Sequence, residues 1–263
     1  MKMKRKILFL TLLFSVFYGF SQSVNYIDEK MKSIDSITYY KKCNSVVLKC
    51  LNFKTDSLNI NKVVYKFKFG TTDSIGYSQV RTLLLKNSNR KIHKNAFLMI
   101  SYRDTLFNTK AIKESFIRHT KTHKTLEHKD FNSKKYHFRR QKWVNSQKKC
   151  REKFNKLGAE TFYVFKYDYG YMKEYNDIKW IKDRGLFKNA FFKIIYSGNF
   201  LIIKPDGKYF ISGGHLPNNL LKKLLKNEDW SKLKLDWLAT YNTLSKSGIG
   251  AFKENSYHKK HCF

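Results

Sequence analysis

The chain has 263 residues, with 53 Lys/Arg against 20 Asp/Glu, a formal net charge of +33 and 42% hydrophobic residues. Aromatic residues make up 16% and there are only two prolines, which excludes an intrinsically disordered chain and a Pro-rich linker between domains. Neither a Gly-x-Ser-x-Gly elbow nor a Gly-x-x-x-x-Gly-Lys-Ser/Thr phosphate loop occurs, and the twenty acids single out no carboxylate pair, so nucleophilic and phosphate-loop chemistry have no support.

The chain opens on Lys2, Lys4, Arg5 and Lys6, followed by an apolar run from Ile7 to Phe20 broken only by Thr11, Ser15 and Gly19. That run fits a secretory signal core of roughly 7–15 residues and is shorter than the ~20 needed to span a bilayer. Gly19 and Ser21 stand at the small positions read by signal peptidase, so residues 1–21 are predicted to be a cleaved signal peptide. Removing them leaves 242 residues carrying +29, because four of the positive charges lie in the leader. The Phe-Ser-Gln ending resembles leaders of some Gram-negative bacteria, which implies the periplasm, the outer surface or the medium. No second apolar run is long enough to cross a membrane, and no Cys near the cleavage point offers a lipid attachment site.

Residues 22–44 read as a polar lead-in with one short helix, and 45–52 as a strand. Val63, Tyr65, Phe67 and Phe69 alternate with polar or smaller neighbours and predict one half-buried strand. Gly70–Gly76 reads as a turn, Val80, Leu83 and Leu84 as a helical stripe, and 95–102 as a buried strand. From Lys110 to Lys153 the pattern is helical and basic, with a break at 130–133 and a stop at Gly158. An aromatic strand follows at 161–167, then a short helix holding Ile178 and Ile181, capped by Asn176 and closed by Gly185. Residues 199–204, the turn Pro205-Asp206-Gly207 and 208–212 predict a hairpin. Pro217 opens a helix with Leu220, Leu221, Leu224 and Leu225. Another helix carries Leu233, Trp237, Tyr241 and Leu244, and residues 248–263 read as a flexible tail.

Four cysteines lie in the mature chain: Cys43, Cys50, Cys150 and Cys262. An oxidising compartment favours one or two disulfides among them. If 43–50 is extended, Cys43 and Cys50 stand ~23 Å apart against the ~5.5 Å of a disulfide. Cys50–Cys150 and Cys43–Cys150 are therefore at least as plausible as Cys43–Cys50, and no Cys-x-x-Cys pair is present.

His119 and His123 are four apart, the spacing of a helical zinc pair, but they also continue the face of Ile112 and Phe116. Lys134, Lys135, Arg139, Lys142, Lys149 and Lys153 predict an exposed basic stripe suited to anions. Candidate partners are anionic envelope components: lipopolysaccharide, acidic lipids or glycans. Export argues against nucleic acid. The bland reading stays open: Lys, Asn, Ile, Phe and Tyr are the residues an AT-rich genome supplies, and a charged helix face is often merely solvated.

From Lys62 the elements run strand, helix, strand, helix, strand, helix, strand, strand, helix. That order resembles the thioredoxin fold over 62–226, and Phe200 to Lys208 looks like the family's closing hairpin. The resemblance implies an α/β fold: a mixed sheet with flanking helices and a long basic helical insertion. Residues 22–61 would form an N-terminal lead-in with one strand and 227–247 a C-terminal helix. The family's dithiol belongs where the second strand enters the second helix; here 101–108 contains no Cys, and Ser197-Gly198-Asn199 replaces its cis-Pro. The resemblance carries over no catalytic residue and no cofactor. The alternative topology is α+β, with 191–212 as a C-terminal β-meander. The expected function is an exported, non-catalytic envelope protein with a binding or structural role. The alternatives are a thiol redox or metal-dependent envelope enzyme, and a polyanion-binding basic protein.

Overall fold

A computed structural model describes residues 24–55, 58–122, 131–193, 199–214, 216–227 and 229–253; the side chains of 117–122 and of residue 199 lie outside the description. The segment before residue 62 builds more than one strand. Strand β1 (Val24–Ile27) lies parallel to β3 (Asn59–Tyr65), and β2 (Leu48–Lys54) pairs antiparallel with β3. Between β1 and β2 runs helix α1 (Ser36–Cys43), whose first turn is capped by the Asp35 carboxylate accepting from the Thr38 amide at 2.8 Å.

Helix α1 ends at Cys43, and the chain reverses through residues 44–47 before β2 begins. This bend brings Cys43 to Cys50 with 5.4 Å between Cα atoms, and the two form a disulfide. The extended-chain argument against this pairing fails because Cys43 belongs to a helix end rather than to the strand. Pairing of either residue with Cys150 is thereby excluded. Cys150 is buried on a later helix and is not a free thiol.

The alternation across 63–69 hides a change of sheet. The amides of Lys66 and Phe67 both donate to the Val47 carbonyl, at 2.9 and 3.2 Å. Strand β3 therefore ends at Tyr65, and β4 (Phe67–Thr71) joins a second sheet. Position 62, the expected start of the main domain, falls inside β3. Val63 and Val64 are both buried, so the end of β3 is covered on both faces rather than half-exposed.

The second sheet has six strands in the order β4-β9-β8-β5-β6-β7. After β4 come helix α2 (Ser74–Ser88), strand β5 (Phe97–Phe107), helices α3 (Thr109–Thr122) and α4 (Ser133–Asn155), and strand β6 (Ala159–Tyr169). Short α5 (Tyr171–Glu174), β7 (Trp180–Lys182) and α6 (Leu186–Ala190) lead to the hairpin β8 (Asn199–Ile203) and β9 (Lys208–Gly213). Helices α7 (Asn218–Lys226) and α8 (Ser231–Asn242) and a 3-10 turn (Gly250–Phe252) close the described chain. Leu98, Met99 and Ile100 of β5 are fully buried, because β6 lies parallel on one side and β8 antiparallel on the other.

Two expectations change here. The segment with Ile178 and Ile181 is not helical: Trp180–Lys182 adds β7 as an edge strand parallel to β6. Gly185 opens a helix rather than closing one, and the buried Asp183 carboxylate caps α6 by accepting from the Gly185, Phe187 and Lys188 amides at 2.9–3.1 Å. The β-meander alternative has no room, since β8 pairs with β5 and β9 with β4, which leaves the hairpin no edge for 191–196. Residues 191–193 form a bend and 194–198 lie outside the described residues. The hairpin turn is as predicted: Gly207 has φ +80°, and a Cβ there would stand 2.3 Å from the Thr72 carbonyl oxygen.

The predicted tail is anchored as far as it is described, because Phe252 is fully buried against Phe67; residues 254–263 lie outside the described residues. Among the described residues no helix is long and apolar enough to cross a membrane.

Candidate functional site: two basic clefts beneath one helix

In mixed α/β sheets ligands gather at the carboxyl ends of the parallel strands. Strand β5 runs to Phe107, so most of 101–108 is strand paired with β6, and the junction with α3 is Phe107-Asn108-Thr109. Asn108 caps α3, its side-chain oxygen accepting from the Ala111 amide at 2.8 Å. The Thr109 amide donates to the Glu174 carboxylate at 2.8 Å, and the Thr109 hydroxyl also donates to that carboxylate and meets the Tyr175 hydroxyl at 2.6 Å. A carboxylate therefore already occupies the positive start of α3. Partial burial works against its charge, but the hydrogen bonds from Thr109 prevail and hold Glu174 below the usual carboxylate range.

Beside this junction a cleft of about 360 Å³ opens between β5 and α4. Its deepest charge is Arg140, which donates bidentately to Asp177 at 2.5 and 2.6 Å and to the Tyr171 hydroxyl at 2.7 Å. The guanidinium centre lies 3.4 Å from the Tyr175 ring centroid. Desolvation opposes the charge, but the bonds to Asp177 and Tyr171 win and raise the pKa of Arg140. Asp177 thus neutralises Arg140.

Arg103 and Arg139 line the same cleft and have no ion-pair partner among the described residues. Arg103 holds its guanidinium 5.1 Å from the Trp143 ring centroid. It keeps access to solvent, yet the walls that crowd its head group lower its pKa by desolvation; a guanidinium stays charged regardless. At the rim, Phe107 and Tyr169 stack at 5.5 Å and are 42% and 60% exposed, an apolar platform next to two uncompensated cations.

A second cleft, of about 290 Å³, lies under the C-terminal half of α4, against β6 and β7. Arg90, Lys148, Arg151 and Lys179 line it, with Thr161 and Tyr163 of β6. Arg90 donates to the Thr161 carbonyl at 2.8 Å, stands 3.5 Å from Glu160 and covers the Phe162 ring at 4.6 Å. Burial lowers the pKa of Arg90 against the pull of Glu160, and the nearby charge of Arg151 adds to the lowering. Burial also pushes the Tyr163 phenol up to about 12, against the pull of Arg151 and Arg90. Asp177 lines this cleft and Arg140 the first, so their ion pair stands between the two.

The six predicted anion-binding residues, Lys134, Lys135, Arg139, Lys142, Lys149 and Lys153, are all exposed on α4. Helical geometry puts all but Lys134 on one face, with the buried Val144 opposite it and the buried Cys150 and Phe154 at its flank. Of the six only Arg139 enters either of these clefts. His119 lies on α3 with its side chain outside the described residues, and His123 lies outside them altogether. No cluster of potential metal ligands occurs among the described residues. Sequence reasoning missed Arg90, Arg103, Arg140, Lys148, Arg151, Asp177 and Lys179. The stacking of Arg103 on Trp143 and the pairing of Arg140 with Asp177 depend on β5, β7 and α4 being adjacent, which no local pattern announces. Compared with protein-family models, with curated proteins and with solved structures, the chain matches none.

Proposed function

We propose that this is an exported, non-catalytic binding protein with a thioredoxin-like core, and that it holds an anionic envelope glycan in the cleft at the end of β5. The observation that carries this reading is the pairing of two uncompensated guanidiniums, Arg103 and Arg139, with the exposed Phe107–Tyr169 stack. Arginines recognise carboxylate, sulfate or phosphate groups, and the rings accept the apolar face of a sugar. The thioredoxin-like reading draws support from the order β5-helices-β6-helix-β8-β9-α7, although β4 adds to the β9 edge and β7 to the β6 edge. The non-catalytic reading draws support from the junction after β5, where Asn108 and Thr109 replace a dithiol and Glu174 fills the helix start. The Cys43–Cys50 bridge ties the end of α1 to β2 of the small sheet, and with the leader it supports an oxidising, extracytoplasmic location.

The test is a tryptophan-fluorescence titration of the full mature chain with oligogalacturonate and with lipopolysaccharide, at low and high salt. Saturable binding that weakens steeply with salt and is lost in Arg103→Met and Arg139→Met is the expected result. Binding that both variants retain would remove the cleft from the proposal. N-terminal sequencing of the native product is expected to begin at Gln22.

A further inference from the structure

We infer that the second cleft, under the C-terminal half of α4, binds a phosphate or sulfate group, independently of the cleft at the end of β5. Four cations line it: Arg90, Lys148, Arg151 and Lys179. The acid on its wall, Asp177, is committed bidentately to Arg140, and Glu160 pairs with Arg90, at 3.5 Å. Lys179 donates to the Ser88 carbonyl at 3.1 Å, while the Lys148 and Arg151 side chains have no hydrogen bond or ion pair among the described residues. Four cations therefore face two acids that are already engaged, and Lys148 and Arg151 are left unpaired among the described residues.

A second observation points to a ligand. The Thr161 hydroxyl, on a residue only 1% exposed that lines the cavity, has no hydrogen-bond partner among the described residues. Buried hydroxyls are almost always paired, and an oxyanion supplies the missing acceptor. The size is right for a phosphoryl or sulfuryl head group on a small carrier, since about 290 Å³ lies at the lower edge of small-ligand pockets, roughly 300 Å³. The guanidinium forks of Arg90 and Arg151 suit an oxyanion with several acceptor oxygens, and the lysines add point charge. The head group can arrive as a free anion, a soluble monoester or a lipid head group; the shared chemistry is the oxyanion.

The test uses the full mature chain in isothermal titrations with inorganic phosphate, with phenyl phosphate, and with phosphatidylcholine vesicles doped with phosphatidic acid. One phosphate per chain is expected. Arg151→Met and Lys148→Met are expected to weaken binding about tenfold or more each, the effect of losing one charge-assisted hydrogen bond. Thr161→Val is expected to weaken it without changing the charge. Lys149→Met and Lys153→Met, which remove charge from the outer face of α4, are expected to leave it intact. Arg103→Met should also leave phosphate binding intact, which separates this inference from the glycan reading. Vesicle binding with the same Arg151 dependence would identify a lipid source, and binding of the soluble probes alone a free or small-ester source. Failure of the wild-type chain to bind either soluble probe overturns the inference. So does equal weakening by the outer-face variants, or soluble-probe binding that ignores Arg151.

Discussion

The Arg140–Asp177 pair gives the sharpest test of how the two clefts are held apart. The side chains are 9% and 21% exposed, so the guanidinium is the more deeply buried partner. Replacing Asp177 with Ala leaves that charge among Tyr171 and Tyr175 with no counter-ion. Breaking a buried pair in this way costs about 3–5 kcal/mol, and the partial wetness of Asp177 places the expected loss near the lower end, about 3 kcal/mol. Arg140→Met strands a carboxylate that water already reaches, so its expected cost is smaller, about 1–2 kcal/mol. The double variant removes both charges and should cost less than the sum, with a coupling of about 2 kcal/mol. The assay is urea unfolding followed by tryptophan fluorescence, with thermal melting as a cross-check. About 3 kcal/mol corresponds to a Tm fall of roughly 6–12 °C for a domain of this size. A loss below about 1 kcal/mol for Asp177→Ala, or strictly additive variants, would refute the view that a desolvated ion pair organises this helix face.

Three other outcomes follow from separate parts of the fold. The buried Glu29 carboxylate accepts from Lys42 at 2.7 Å and from the Tyr241 hydroxyl, which ties α8 to the small sheet; Tyr241→Phe should cost about 1–2 kcal/mol in urea unfolding, and an unchanged midpoint would contradict the tie. Glu174 has a folded pKa lowered from 4.5 by its bonds to Thr109, after opposition from desolvation. Its contribution is therefore present above the unfolded pKa and disappears as pH falls through the folded value. Glu174→Gln should flatten that part of the acid-side decline in Tm; a parallel decline in both proteins would exclude the linkage. The Cys43–Cys50 bridge closes a loop with a sequence separation of 7, worth about 2.5 kcal/mol by chain entropy. Cys43→Ser combined with Cys50→Ser should lower the urea midpoint accordingly and leave phosphate binding unchanged, because the bridge lies in the small sheet.

What could be read in advance was what the chain states locally. The buried run at 95–102, the Pro205-Asp206-Gly207 turn and the leucines of α7 each carry their signal within a few residues, and each forms the expected element. Across 63–69 the same kind of signal misleads. Val63, Tyr65, Phe67 and Phe69 share parity and are all buried, but alternation reports which residues are covered, not which sheet covers them. The break at Lys66 is dictated by the distant Val47 carbonyl. Ile178 and Ile181 are three apart and read as a helical turn, yet Trp180 and Ile181 are held in a strand by Tyr163 and Val164.

The same division runs through α4. Its outward charge is visible in the sequence because it is written on one helix. Its inward chemistry is not, because Arg140 meets a carboxylate 37 residues away and the cleft beneath its C-terminal half is completed by Arg90, a residue that follows α2 and donates to a carbonyl 71 residues away. In the proposed binding role these two faces do different work. Exposed lysines far from a partner raise the rate of encounter and are screened by salt. Discrimination among anions requires groups of fixed geometry, and the candidates are Arg103 braced on Trp143 and the buried Thr161 hydroxyl, which has no partner among the described residues. Under that proposal a basic composition would serve to bring polyanions to this surface, whereas retaining one kind of anion would depend on residues that only the sheet brings together.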